Sequence, residues 1–178
     1  LTFTGASVNA DGGGLRVEDA DPTLVDLVLE DNAVSANGGG LALVRSQSVV
    51  EDVVVRSNVS HRGGGIYVMG GAPTLRRVVV SDNVAANYID GGGGIYVDAN
   101  AAVTADQITV SGNESDVGAG ITLGGGELYV TESLISGNSG DFQGNCYGGG
   151  LQVDSGSTLV LENSLVTGNS ARYGAGIR

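Results

Sequence analysis

A glycine-rich triplet recurs seven times along this chain and constrains its fold more than any other feature. Each triplet reads Gly-Gly-Gly or Gly-Ala-Gly and is followed by Leu or Ile. A separation of 25 to 30 residues between triplets is typical of a solenoid, in which each repeat forms one coil and buries its apolar face against its neighbours. The triplets begin at Gly12, Gly38, Gly63, Gly92, Gly118, Gly148 and Gly174.

A second marker lies in the other half of each repeat, where an apolar residue precedes an asparagine by three positions. At the start of the chain Phe3 fits the apolar position and Ala6 replaces the asparagine. Asparagine tolerates left-handed backbone and can bond to the backbone of its own turn, and stacked amides bond one another in cross-β arrays. We therefore expect a structural ladder formed by Asn32, Asn58, Asn83, Asn113, Asn138 and Asn169.

Short alternating segments between the two markers predict strands and not helices. After the triplet at Gly148, apolar Leu151 and Val153 flank polar Gln152, which predicts a strand with the two apolar side chains facing inward. Two further short apolar runs follow before the next triplet. Because equivalent residues recur at the same phase, the coils must stack in parallel. The sequence thus predicts an all-β parallel β-helix solenoid, with about six to seven coils of 25–31 residues and three short strands per coil.

Length and charge narrow the class of protein. At 178 residues the chain suits one domain, residues 1–178. The net charge is −12, with eight arginines and no lysine. This acidic surface argues against nucleic acid as a partner, because phosphate binding needs clustered positive charge. No apolar run reaches the length of a membrane-spanning segment, and Cys146 is the single cysteine, so no disulfide can form within the chain.

Both ends of the sequence fall in the middle of a coil. Leu1, Thr2 and Phe3 match the last strand of a coil, and Ile177 starts the first strand of another. Solenoids need polar caps, because an exposed end coil offers apolar side chains and unpaired strand edges. We therefore expect either a segment of a longer protein or a subunit whose copies stack end to end into a filament.

The pairing of Gly64-Gly65-Ile66 with Val80 and Asn83 resembles the repeats of the polymorphic outer membrane proteins. More broadly, it is similar to the right-handed parallel β-helix repeats of large secreted bacterial proteins. The resemblance covers nearly the whole chain and implies a right-handed coil and an extracellular or cell-surface location. Such repeats build adhesin passenger domains, surface stalks and pectate-lyase-like enzymes, so the resemblance leaves both binding and catalysis open.

One corner column could carry catalysis or calcium. The residues two positions before the triplets include His61, Asp90 and Asp116. Carboxylates beside a basic group are what pectate-lyase-like or glycosidase chemistry needs, either to hold Ca²⁺ or as acid and base. With 20 acidic residues in the chain, chance alignment is the simpler explanation, so no residue is assigned as catalytic. The candidate Ca²⁺ ligands are Asp90, Asp116 and Asp141, and no other cofactor is expected.

Tyrosines supply the candidate ligand-binding residues. Tyr67 and Tyr96 occupy equivalent outward positions in successive repeats, where they should stack and could hold a sugar ring or a partner chain. Tyr88 and Tyr147 lie in the two longer connections between an asparagine and the next triplet. Insertions on one face of a solenoid often mark its binding face, although a tolerated surface loop explains them as simply.

Two functions fit these observations. The first is an extracellular structural or adhesive module: a surface stalk, an adhesin passenger segment or a fibre subunit that stacks end to end, with a glycan or cell-surface molecule as its possible ligand. The regular repeats favour this reading. The alternative is a pectate-lyase-like polysaccharide lyase or hydrolase, or a polysaccharide-binding β-helix. The absence of an obvious catalytic cluster makes an enzyme the less favoured of the two.

Overall fold

The computed structural model describes residues 1–86, 91–140 and 146–178, and there the chain forms a stack of parallel β-coils. Twenty-three short strands make up four sheets, and neighbouring strands in each sheet come from successive coils and run parallel. The expected all-β right-handed parallel β-helix is confirmed. No helix in the described ranges is long and apolar enough to cross a membrane.

Sheets 1 and 2 are numbered in the order in which the chain visits them after each glycine triplet. The strands of sheet 1 are Leu15–Glu18 (β3), Leu41–Val44 (β7), Ile66–Met69 (β11), Ile95–Asp98 (β15), Ile121–Gly124 (β18) and Leu151–Val153 (β21). Those of sheet 2 are Thr23–Val25 (β4), Val49–Glu51 (β8), Thr74–Arg76 (β12), Ala102–Asp106 (β16), Glu127–Thr131 (β19) and Thr158–Glu162 (β22).

Sheets 3 and 4 lie on either side of the asparagine position. The strands of sheet 3 are Thr2–Thr4 (β1), Val28–Glu30 (β5), Val54–Arg56 (β9), Val79–Ser81 (β13), Thr109–Ser111 (β17), Leu134–Ser136 (β20) and Leu165–Thr167 (β23). Those of sheet 4 are Ser7–Val8 (β2), Ala33–Val34 (β6), Val59–Ser60 (β10) and Val84–Ala85 (β14). Sheet 4 adds two-residue strands to the three that the sequence predicts. They form because amides beyond the asparagine donate to the preceding coil, as Val59 N does to Asn32 O at 2.8 Å.

Aliphatic side chains fill the core and stack in register along the axis. In β13 Val80 is fully buried, whereas its neighbour Val79 is 37% exposed, as the alternation of a strand requires. Ile66 pairs with Leu41 on one side and with Ile95 on the other. Because each coil places the same type of side chain at the same depth, continuous columns of Leu, Ile and Val line the interior.

The turn from sheet 2 into sheet 3 uses one left-handed residue per coil, and in six successive coils none of them is glycine. Such a conformation costs on the order of 1 kcal/mol in a residue with a side chain. Backbone hydrogen bonds offset this cost, since the amide of Asp52 donates to Arg76 O at 3.2 Å in the next coil. With φ between 48° and 53°, these left-handed residues are Asp26, Asp52, Arg77, Gln107, Glu132 and Asn163.

The glycine triplets occupy the most crowded corner. A Cβ on Gly39, the second residue of its triplet, would lie 2.4 Å from the carbonyl oxygen of Gly64 in the next coil. A Cβ on Gly65, the third residue, would lie 2.9 Å from Nδ2 of Asn83. The two sequence markers therefore meet in space, because the triplet backbone packs directly against the asparagine amide.

The strand phase can be tested with two adjacent valines. We expect Val80→Asp to lower the free energy of unfolding by about 3 kcal/mol or more, because the carboxylate would be buried without a partner. Val79→Asp places the same charge on the outer face of the same strand and should cost less than about 1 kcal/mol. Chemical denaturation measures both. Equal losses would show that the inward and outward positions are assigned incorrectly.

Candidate functional site

The outer face of sheet 1 carries the aromatic pair that the sequence assigns to ligand binding. Tyr67 and Tyr96 pair in register on β11 and β15, and their rings stack with centroids 5.8 Å apart at an interplanar angle of 27°. The exposed fractions are only 3% for Tyr67 and 5% for Tyr96. The two rings stack as the sequence predicts, and they are covered instead of open to solvent.

Segments that precede the glycine triplets contribute to this covering by turning back across sheet 1. The guanidinium carbon of Arg62 lies 5.5 Å from the ring centroid of Tyr96. In a later coil the hydroxyl of Thr122 donates to the carbonyl oxygen of Val117 at 3.2 Å. Thr122 is fully buried although its side chain lies on the outer side of the sheet. The outer face of sheet 1 is thus a second, partly polar interior.

A partly buried hydrogen bond links the tyrosine pair to the end of the next strand. The hydroxyl of Tyr67 donates to Oδ2 of Asp98 at 2.6 Å. Burial first, and then the hydrogen bond to Asp98, raise the pKa of Tyr67 above its ordinary value. The phenol therefore stays protonated at neutral pH and fixes the ring, which is a structural use of this side chain.

The three residues of the corner column do not share one environment. His61 is exposed, whereas Asp116 is 9% exposed and lies with its Oδ1 atom 3.9 Å from Sγ of the fully buried Cys146. Asp90 lies outside the described residues. The structure therefore places the histidine in solvent and Asp116 inside the corner.

Of the three candidate calcium ligands, Asp116 is the one that lies in the described residues. Asp90 and Asp141 lie outside the described residues, and within residues 1–86, 91–140 and 146–178 no group of three or more His, Cys, Asp or Glu side chains is close enough to hold a metal ion. Calcium generally takes six to eight oxygen ligands, so Asp116 alone does not define a site.

Tyr147, the other binding candidate in the described ranges, is already engaged. Its ring stacks on that of Tyr173 with centroids 5.4 Å apart, and the guanidinium carbon of Arg178 lies 3.9 Å from the Tyr147 centroid. Tyr88 lies outside the described residues. In this arrangement Tyr147 serves coil-to-coil packing, since Tyr147 and Tyr173 come from successive coils and form a parallel bridge.

The six asparagines of the sequence marker are brought into one line along the axis. The amide Nδ2 of Asn58 donates to Oδ1 of Asn83 at 2.9 Å, and Nδ2 of Asn83 donates to Oδ1 of Asn113 at 3.0 Å. The same contact joins the remaining members of the series. The asparagines through Asn138 are at most 1% exposed.

Each asparagine also ties two coils through the backbone. The Nδ2 atom of Asn83 donates to the carbonyl oxygen of Val55 at 3.0 Å, and its Oδ1 atom accepts from the backbone amide of Asn58 at 3.0 Å. Val55 is the apolar residue that precedes Asn58 by three positions. The sequence spacing therefore has a physical cause, because it presents a carbonyl oxygen to the asparagine of the next coil.

Ion pairs connect coils on the exposed corners. Arg45 forms a two-point contact with Asp19, and Arg77 forms the same contact with Asp52. A further short contact joins Arg77 to Glu51. The hydrogen bonds from the guanidinium groups lower the pKa of Asp19 and of Asp52. These arginines are therefore occupied in holding coils together.

The sequence interpretation missed an exposed tyrosine on sheet 2. Tyr129 is 38% exposed on β19, and its hydroxyl donates to Oε2 of Glu127 at 3.2 Å. This hydrogen bond raises the pKa of Tyr129, so the phenol is neutral at pH 7. The alternation of buried Leu128 and Val130 with outward Glu127 and Tyr129 was a signal that could have identified the position.

A shallow cleft lined by Glu127, the residue that bonds to Tyr129, opens at the corner between sheets 1 and 2. Its volume is about 280 Å³. Two of its glycines have left-handed backbone, with φ of 101° at Gly125 and 85° at Gly156, and a Cβ on Gly156 would meet no atom within 4 Å. The lining residues are Asn100, Ala101, Ala102, Gly125, Gly126, Glu127 and Gly156.

Comparison with known proteins identifies the fold and no closer relative. A family model described as a right handed beta helix region matches residues 21–178. No curated protein and no solved structure matches the chain. What distinguishes this chain within such a family must therefore be read from its own surface.

The asparagine line can be tested by removing one amide. Replacement of Asn83 by Ala leaves buried partners in two neighbouring coils without their hydrogen bonds, and we expect a loss of about 1–3 kcal/mol in the free energy of unfolding. Asn9 is exposed and accepts one hydrogen bond, from Ser35. As the control, Asn9→Ala should change the free energy of unfolding by less than about 0.5 kcal/mol. Similar losses in both variants would contradict the structural role of the buried amides.

The buried phenol predicts a loss of stability in alkali. Because the pKa of Tyr67 is raised in the folded state, its contribution is fully present below the unfolded value of about 10 and is lost as pH rises above it. We expect Tyr67→Phe to be less stable than wild type at pH 7 by about 1–2 kcal/mol. The difference should narrow as pH increases. Thermal unfolding measured across the alkaline range checks this, and a difference that stays constant would argue against the assignment.

Proposed function

Because the chain belongs to the right-handed β-helix family, we propose that it is a structural and adhesive module on the outside of a bacterial cell. It would act as a surface stalk, an adhesin passenger segment or a fibre subunit. The fold alone does not decide this, since the same architecture supports several functions. The proposal depends instead on how the coils are joined and on what their surface presents.

The line of asparagine amides is the observation that carries the proposal. It runs through six coils, from Asn32 to Asn169, with each amide bonded to the next. Aliphatic columns run parallel to it through the same coils. A rod of this kind resists bending and unwinding, because displacement of one coil breaks buried hydrogen bonds on both sides. Stiffness along one axis is what a stalk or a surface display element needs.

The charge distribution supports an exterior location. The net charge of −12 keeps such a rod soluble and separated from other copies along its sides. The arginine contacts described above join successive coils, as with Arg56 and Glu30 at 2.6 Å. The basic residues thus reinforce the rod, while most of the acidic residues remain to face the surroundings.

Axial pairing is the proposed mode of assembly. The outermost strands of the stack, such as β22 in sheet 2 and β23 in sheet 3, each have a neighbouring strand on one side only. Parallel pairing at such edges would extend the rod by another coil, supplied either by more of the same polypeptide or by a second copy. A contact of this type does not close on itself and therefore builds fibres.

A polysaccharide-binding or polysaccharide-cleaving β-helix is the second candidate. The cleft beside Tyr129 and Glu127 favours it, because an aromatic ring and a carboxylate are common contacts for a sugar. Cleavage by the usual glycosidase route would need a second carboxyl group across the scissile bond. Retention of a polysaccharide without its breakdown would therefore fit the adhesive module.

One experiment separates adhesion from polysaccharide cleavage. Beads coated with the chain should be retained on surfaces that carry cell-surface glycans, whereas beads coated with the Val80→Asp variant, whose coils are destabilised, should wash off. The same preparations are incubated with soluble polysaccharides, and reducing ends and unsaturated products are measured. Retention without product supports the adhesive module. Steady formation of product would establish the enzyme, and the absence of retention would overturn the adhesive proposal.

A further inference from the structure

Tyr129 is an exposed tyrosine on sheet 2 whose ring stacks on no other ring in the described residues. The described ranges contain five tyrosines, and four of them are paired in ring stacks, Tyr67 with Tyr96 and Tyr147 with Tyr173. Tyr129 has no ring stack and is 38% exposed. Its neighbours in register are Thr104 on one side and Val160 on the other, so the ring stands among smaller side chains on a flat sheet.

Glu127 connects the ring of Tyr129 with the cleft. The residue lines the cleft and accepts the hydrogen bond from Tyr129 at 3.2 Å. An ionised carboxylate has about four acceptor positions, so this bond leaves most of its capacity for a ligand. The backbone amide of Glu127 donates to Ala101 O at 2.8 Å, which fixes the main chain that carries the carboxylate.

The shape and chemistry of this surface suit a single sugar ring. The cleft volume of about 280 Å³ lies just below the range of about 300–1,000 Å³ typical of drug-sized ligands. An aromatic ring accepts the apolar C–H face of a pyranose, and a carboxylate accepts hydrogen bonds from its hydroxyl groups. Because both residues stand on β19, binding does not need to order the backbone.

The surrounding charge selects neutral sugars. In the outward row next to Tyr129, Arg76 lies 3.9 Å from Asp106 and Arg77 contacts Glu51, so the carboxylates of Glu127 and Glu162 carry the charge that no cation among the described residues compensates. A uronic acid or sulfated ring would meet like charges here, which is unfavourable. In register from β8 to β22 the row reads Glu51, Arg76, Asp106, Thr131 and Glu162.

We propose that Tyr129, Glu127 and the glycine-lined cleft form a binding site for one neutral sugar ring of a cell-surface glycan. The proposal rests on the adhesive function above and supplies its ligand class. Tyr129 provides the platform for the ring, Glu127 accepts hydrogen bonds from adjacent hydroxyl groups, and the cleft receives the substituent that projects beyond them.

The test uses soluble oligosaccharides as probes. Neutral oligomers of glucose, galactose and mannose are titrated into the full chain, with oligogalacturonate as the acidic comparator, and binding is followed by saturation-transfer NMR. We expect at least one neutral series to bind with a Kd on the order of 1 mM and oligogalacturonate to bind at least about tenfold more weakly. No neutral binding at concentrations up to about 20 mM, or tighter binding of the acidic oligomer, would overturn the proposal.

Variants locate the binding on the molecule. We expect Tyr129→Ala to weaken neutral-sugar binding at least about tenfold, Glu127→Gln to weaken it severalfold, and Tyr129→Phe, which keeps the ring, to retain most of it. Thr74→Ala is the matched control, because Thr74 occupies the position equivalent to Tyr129 two coils away. This variant should bind as wild type does. Circular dichroism checks that each variant is folded. Undiminished binding by Tyr129→Ala would place the sugar elsewhere and defeat the proposal.

Bead retention separates this proposal from the adhesive function. If Tyr129→Ala beads are retained as well as wild-type beads, the site proposal fails and the adhesive function stands on another surface. If the wild type binds the neutral oligomer through Tyr129 but its beads are not retained, the site stands and the adhesive function fails.

Discussion

The hydrogen bonds between stacked asparagine amides constrain the rest of this fold. Asn83 lies 25 residues after Asn58 and 30 residues before Asn113, yet the two amide contacts measure 2.9 and 3.0 Å. Four of the five extra residues of the longer coil fall between Asn83 and Gly92 in the sequence, and the amide ladder keeps its spacing across coils of unequal length. The same constraint explains why the third residue of the triplet is glycine at Gly65. A Cβ there would lie 2.9 Å from Nδ2 of Asn83.

Regular features of the molecule were predictable because they repeat. The phase of Val80, the position of the asparagines and the need for glycine at the triplets each recur in six or more coils, so chance agreement is small. The covering of Tyr67 and Tyr96 was not predictable, because it depends on segments that turn back across sheet 1 and whose path the alternation of one strand does not encode. Sheet 4 was missed for a similar reason, since two residues are too few to show a period.

Tyr129 was missed because it does not repeat. The column that contains Tyr129 offers no second aromatic residue in the described coils, so no repeated pattern marks the position. The pair Tyr67 and Tyr96 was singled out because it recurs in successive coils, and the structure shows it in an internal stack, as it does Tyr147 with Tyr173. In a repetitive fold, residues that recur tend to serve the stacking of coils, because stacking is the interaction that every coil shares.

A residue that breaks the repeat is a better candidate for function than a residue that follows it. The outward column of sheet 2 reads Thr23, Val49, Thr74, Thr104, Tyr129 and Val160. Small β-branched residues satisfy this position in five coils, so the fold does not require an aromatic ring in the sixth. A single exposed aromatic residue is ordinary on a protein surface, so exposure alone does not assign a role to Tyr129. The role proposed for this ring depends instead on the carboxylate of Glu127, which both bonds to the ring hydroxyl and lines the open cleft.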